Sequence, residues 1–310
     1  MGISTTALGT NSFQIDYTTG TTQADLLTAI KNAITNSGAN DRGWEAYDLA
    51  AGSNAIAFRA LNKDGVTYKY VVVDINTTSV LLLKTYETWD SSAHTGTNLC
   101  YNSDSATYGA KYITTGPGQL FVFVNARWLA MLSRDVVSGQ LNYNSSYQGL
   151  IGCFEVARDN AEDTAAANYP PFFWTNTSNF FMTAFACCGF SPRTRDGSTG
   201  ANAKIEIATI LGKTVGTTTK AQSFVPSTTN VWNAKDWGLT LYVHEPSNSV
   251  RGRAFGLKLF TMTKLLLLDK STIKVNSDYI YSVSGTDADH HVIVCSTTAT
   301  AKDGRVLIPA

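Results

Sequence analysis

The hydrophobic period of this chain switches from helical to alternating between residues 22 and 86, and that switch constrains the fold more than any other feature. Leu26, Leu27, Ile30, Ala33 and Ile34 recur at the spacing that puts them on one face of a helix. Thr22 stands at the capping position with Asp25 three residues on, as in a capping box, and Gly38 is a good terminating residue. The pattern predicts an amphipathic helix of about four turns, which must lay its apolar face on a sheet or on a partner.

From Trp44 the period is two. Trp44 to Leu49 and Ile56 to Leu61 alternate, and the turn Asn62-Lys63-Asp64-Gly65 ends in an Asp-Gly pair that favours a tight hairpin. The runs Val66 to Ile75 and Ser79 to Tyr86 are dominated by aromatic and β-branched residues, as strands prefer. A four-stranded antiparallel meander reaching about Trp89 follows from this. Residues 90–118 read as one long loop, Leu120 to Val124 as a buried strand, and Arg127 to Arg134 as either a short helix or a further strand. Tyr169-Pro170-Pro171 and the aromatics after it predict a break in regular structure, because proline removes a ladder donor. Further strands are expected at Lys204 to Leu211, Leu239 to Glu245, Gly256 to Met262, Lys264 to Leu268, Tyr279 to Val283, Val292 to Ser296 and Gly304 to Ala310.

The predicted fold class is therefore mainly β with a minor helical part (α+β): antiparallel sheets or a sandwich, one N-terminal amphipathic helix, and long loops. Three segments are expected. Residues 1–20 form an extended polar arm, 21–90 the helix and meander, and 91–310 a larger β-rich domain with long loops.

Charge narrows the function. Charged residues make up 15% of the chain, against about 25% in an average globular protein, which fits either a surface largely covered by something else or a Thr-rich β protein that is simply lightly charged. Basic and acidic residues balance at 24 each, which disfavours nucleic acid as the main partner, since phosphate binding needs a cationic surplus. The N-terminus has no basic segment or apolar core of a secretory signal, and Gly2 to Thr6 fits a myristoylation pattern only superficially. Val80 to Leu83 and Leu265 to Leu268 are too short to span a bilayer. Cys100, Cys153, Cys187, Cys188 and Cys295 are odd in number and irregularly spaced, unlike a disulfide framework, and point to synthesis in a reducing cytoplasm.

Several clusters carry groups with chemical potential. Asp287-Ala288-Asp289-His290-His291 offers metal-ligating types, but neighbours in a strand face opposite ways, and His94 and His244 are remote in sequence. Glu155, Asp159, Glu162 and Asp163 hold the carboxylates a glycosidase would need, with Arg158 beside them as an ordinary ion-pair partner. No Gly-x-Ser-x-Gly elbow, P-loop or dinucleotide fingerprint is present. Arg251 to Gly256 reads as a small basic turn, and Asn76-Thr77-Thr78 and Asn144-Ser145-Ser146 match the glycosylation pattern without a signal to use it. Trp89, Tyr101, Tyr108, Tyr143, Tyr147, Trp174, Trp232 and Trp237 fall in predicted loops, where aromatics serve as interface anchors. No residue is assigned a catalytic, cofactor-binding or metal-binding role, and no cofactor is expected.

The stretch from Gly118 to Thr177 reads Gly-Gln-Leu-Phe-Val-Phe-Val-Asn-Ala-Arg-Trp-Leu-Ala-Met, then Gly-Cys-Phe-Glu-Val-Ala-Arg-Asp-Asn-Ala-Glu-Asp-Thr, then Tyr-Pro-Pro-Phe-Phe-Trp-Thr-Asn. It resembles segments of structural proteins from tailed-bacteriophage particles. The resemblance implies a non-enzymatic virion component of the tail, baseplate or neck, assembled in the host cytoplasm and partnered by its own copies and other virion proteins. A capsid decoration or head-tail connector is the nearest alternative. A receptor- or carbohydrate-binding tail-tip module, taking a host-surface glycan, is the more distant one.

Overall fold

A computed structural model describes residues 2–9, 11–35, 43–62, 65–75, 80–101, 111–112, 117–126, 128–137, 140–141, 150–154, 156–157, 172–176, 187–193, 199–209, 239–244, 250–261, 273–277, 280–283, 290–293 and 304–309. The first half runs β1 (Ile3–Gly9), β2 (Ser12–Tyr17), α1 (Gln23–Thr35), β3 (Trp44–Gly52), β4 (Ala55–Leu61), β5 (Tyr68–Ile75), β6 (Val80–Asp90), β7 (Thr95–Tyr101), β8 (Lys111–Tyr112), β9 (Gly118–Asn125) and β10 (Trp128–Val137). Among the described residues these elements give two antiparallel sheets and one helix.

The smaller sheet has the order β3-β4-β5-β6-β7, with β8 pairing the start of β6. The larger begins β1-β2-β9-β10 and continues through Leu150–Phe154, Phe172–Asn176, Cys187–Arg193, Thr199–Thr209, Leu239–His244 and Val250–Thr261. Beyond these lie Gly304–Pro309, His290–Ile293, Ile280–Val283 and, at the far edge, Ile273–Ser277.

Helix α1 starts as its sequence dictates. Thr22 Oγ1 accepts the Asp25 N–H at 3.1 Å, while Asp25 Oδ2 accepts the Thr22 hydroxyl at 2.7 Å and backbone N–H at 3.4 Å. Each end of the box thus satisfies the other. The helix buries Leu26, Leu27, Ala29, Ile30, Ala33 and Ile34. These join one core cluster with Phe13, Ile15, Tyr17, Leu120, Val122, Val124, Leu129 and Met131 from the larger sheet. The smaller sheet adds its alternate residues, among them Trp44, Ile56, Phe58, Val71, Val73, Leu81 and Leu83. Each such Leu, Ile or Phe contributes about 1.5–3 kcal/mol by leaving water. The Trp44 indole also donates to Asn125 O at 2.7 Å, a bond that ties β3 to the end of β9.

The meander appears as expected, and the hairpin turn closes through Asn62 N–H to Thr67 O at 2.8 Å and Gly65 N–H to Asn62 O at 2.9 Å. Gly65 has φ +69°, the left-handed region its lack of Cβ permits. Four expectations change. Residues expected as an extended arm form the hairpin β1–β2, which pairs onto β9 with Ile15 opposite Leu120. Phe13, Ile15 and Tyr17 alternate inward and are buried, so this segment has enough apolar surface to fold with the core. The core cluster accordingly joins residues on both sides of the expected boundaries at 20 and 90. Within the expected loop 90–118, Thr95–Tyr101 is a strand paired to β6. Phe172–Asn176 is a strand directly after the two prolines, where a break was expected, while Trp128 to Arg134 lies in strand β10, one of the two alternatives for Arg127 to Arg134.

Candidate functional site

The site that gathers the most chemistry lies on the face of the smaller sheet turned away from the main core. Ala55, Ala57, Val72 and Trp89 form a second buried cluster there, flanked by Tyr47, Tyr70 and Tyr86. Asp48 reaches this face through a bulge. Ala46 is opposite Phe58 but Asp48 is opposite Ala57, so two steps on β3 match one on β4. Simple alternation from Trp44 and Ala46 would aim Asp48 at the main core, and the extra residue turns it over.

The Asp48 carboxylate is 5% exposed and fully engaged. Oδ2 accepts the Trp89 indole N–H at 2.9 Å, Oδ1 accepts the Ala50 backbone N–H at 2.9 Å, and His94 Nδ1 lies 2.9 Å from Oδ2 and 3.1 Å from Oδ1. Burial pushes the carboxyl upward, but the hydrogen bonds from His94, Trp89 and Ala50 together outweigh it and hold it below the usual carboxylate range.

His94 closes the four-residue turn between β6 and β7. Asp90 Oδ1 shapes this turn by accepting the Ser92 and Ala93 N–H groups at 2.8 and 3.1 Å. His94 has φ +54°, a conformation costly for a residue with a Cβ. Its side chain remains 45% exposed with Nδ1 on Asp48, and the residue lines the adjoining cleft. That cleft, of about 520 Å³, is lined by Asn54, Asp74, Lys84, Tyr86, Trp89 and His94, among others. Lys84 Nζ donates to Asp74 Oδ2 at 2.9 Å across its floor. Tyr86 packs edge-on against Trp89 at 5.1 Å, and Gly96 lies so close beneath the Tyr86 ring that a Cβ there would overlap it.

A neighbouring ridge on the same face stacks the Arg59 guanidinium over Tyr47 at 3.9 Å and Tyr68 at 4.6 Å, with an ion pair to Glu45. Burial raises the Tyr70 hydroxyl pKa beside it. Arg59 is raised as well: burial alone would lower it, and the Glu45 carboxylate overrides that.

An oriented Asp–His pair is the base-and-orienter half of a nucleophilic triad. Among the described residues, however, Asp48 is the only hydrogen-bond partner of His94. Among the described residues no group of three or more His, Cys, Asp or Glu side chains gathers to hold a metal, and no helix is long and apolar enough to cross a membrane.

Of the residues singled out from sequence, Trp89 lies in strand β6 and is 8% exposed, because its indole bonds Asp48 and packs on Tyr86. That corrects its reading as a loop anchor. His290 and His291 occupy successive positions of one strand, opposite Pro309 and Ile308. Arg251 to Gly256, expected as a basic turn, lies within the strand Val250–Thr261. Cys100, Cys153, Cys187 and Cys188 all fall in strands, as do Tyr101 and Trp174. Asp287, Asp289, Glu155, Asp159, Glu162, Asp163, Cys295, Tyr108, Tyr143, Tyr147, Trp232, Trp237 and both glycosylation-like triplets lie outside the described residues. Sequence reading missed Asp48 and His94. The available signals were an acid interrupting an alternating strand and a histidine ending a Ser-Ser-Ala turn. No family model, curated protein or solved structure matches this chain.

Proposed function

We propose that this chain is a non-enzymatic structural protein of a tailed-bacteriophage particle, acting in the tail, baseplate or neck through contacts with its own copies and other particle proteins. The observation that carries the reading is the pairing of a large antiparallel β framework with a chain in which only 15% of residues are charged. The resemblance of Gly118 to Thr177 to particle proteins adds to it. Asp48 supports the same reading from the chemical side: its acceptors are taken up in fixing the β6–β7 turn. We further read the two sheets, which share one core with α1, as a sandwich whose connecting loops meet neighbours. Mass spectrometry of gradient-purified particles tests this. The chain should be present at a fixed stoichiometry, and its absence from washed, intact particles would overturn the reading.

The cleft favours a second reading, a carbohydrate-binding module for a host-surface glycan. Asn54, Asp74, Lys84 and His94 mix donors and acceptors beside Tyr86, the combination a sugar's hydroxyls and apolar face require. Binding on a glycan array that is lost with Lys84→Ala would support it. An array without binding would remove it.

A further inference from the structure

Strand β1 ends the larger sheet. Among the described residues it pairs β2 on one side and no strand on the other, which leaves that side an open edge. Ser4, Thr5, Thr6 and Ala7 are all exposed, in succession and not alternately, so both faces of the strand as well as its edge meet solvent. Ile3 packs partly on the core. Soluble proteins protect such an edge with lysine, proline, inward charges or bulges, because a row of unpaired N–H and C=O groups templates another strand. Ile-Ser-Thr-Thr-Ala-Leu-Gly has no charge and no proline. Its one irregularity lies between Ala7 and Gly9, which leaves Ile3 to Ala7 in regular register.

We propose that this edge is where a second copy of the chain adds its own β1, antiparallel, so that the sheet continues across a two-fold axis. The groups left open are backbone donors and acceptors, whose complement is another extended strand. A strand with no charges matches itself, and about a two-fold axis beside Thr5 it sets Thr5 against Thr5, Ser4 against Thr6 and Ile3 against Ala7. Threonine pairs favour such positions. A formal net charge of zero adds no long-range repulsion between copies. So short a ladder buries less than the roughly 1,200–2,000 Å² of a stable interface. The pairing is therefore weak alone and gains strength where many copies are held together. This inference rests on the proposed self-contact of the chain but not on where in a particle it sits.

The test is sedimentation of the full chain between about 1 and 100 μM, comparing wild type, Thr5→Lys, Thr5→Asp and an equal mixture of the two variants. Thr5 is exposed, so either charge is compatible with the folded monomer. Wild type should approach twice the monomer mass as concentration rises. Each variant alone should remain monomeric, with association weakened at least tenfold, because like charges then oppose each other at the axis. The mixture should recover the doubled mass. Wild type that stays monomeric throughout, dimers that neither variant weakens, or a mixture that fails to recover would each overturn the proposal. Particle membership, measured separately, distinguishes this failure from failure of the functional reading.

Discussion

Replacing Asp48 with alanine removes one buried carboxylate and strands three donors. The Trp89 N–H is the costly one: its bond is buried, and a buried donor left unsatisfied costs about 1–3 kcal/mol. The Ala50 N–H and His94 Nδ1 are partly buried, so water replaces their partner and their combined loss is about 1 kcal/mol. Asp48→Ala should therefore destabilise the fold by about 2–4 kcal/mol, and Asp48→Asn, which keeps the volume and one acceptor, by less. Urea unfolding followed by tryptophan fluorescence measures both. A double-mutant cycle with His94→Ala isolates the Asp–His coupling. The sign with pH follows from the lowered carboxyl pKa. A carboxyl depressed in the folded state contributes its stability above its ordinary pKa of about 3.9, and loses it as pH falls toward the folded value. Wild type should thus lose stability more steeply than Asp48→Asn below about pH 4. A loss under about 0.5 kcal/mol for Asp48→Ala, or parallel acid limbs for the two proteins, would refute the reasoning.

Three other substitutions probe the framework. Gly96→Ala drives a Cβ into the Tyr86 ring and should cost about 1–3 kcal/mol; combining it with Tyr86→Ala should cost less than the sum of the two in the same unfolding assay. Ile15→Ala empties a fully buried position in β2 and should cost about 2–5 kcal/mol, whereas a free N-terminal arm would show no change in unfolding midpoint. Thr22→Ala removes one half of the capping box and should cost about 1 kcal/mol, seen as a lower midpoint with an unchanged denaturant slope.

Helix α1 and strands β4 to β6 were readable because their signals are local: a cap, a 3.6-residue stripe, alternation and an Asp-Gly turn all lie within the elements they define. The hairpin β1–β2 was not. Its abundance of Ser, Thr and Asn reads as a solvated arm, while the strand that completes it is far downstream, Asp16 accepting from the Gln119 side chain 103 positions away at 2.8 Å. The Asp48 site was hidden for a different reason. Its residues are 41 and 46 positions apart in the chain, and the bulge that turns Asp48 over leaves no mark in composition. Only the pairing of Ala46 with Phe58 and of Asp48 with Ala57 shows it.

The seating of β2 beside β9 also sets an order of events during synthesis. Residues 12–17 emerge early from the ribosome, but their ladder partners, Gly118–Phe123, emerge roughly a hundred residues later. At about 5–20 residues per second, the wait is on the order of 5–20 s. Throughout it, the β1–β2 hairpin, whose single charge is Asp16, has no sheet to join, while the helix and smaller sheet can already form from local contacts. Nascent chains on one message carry this segment side by side, which makes the interval before residue 118 the period in which premature strand exchange between neighbours competes with folding.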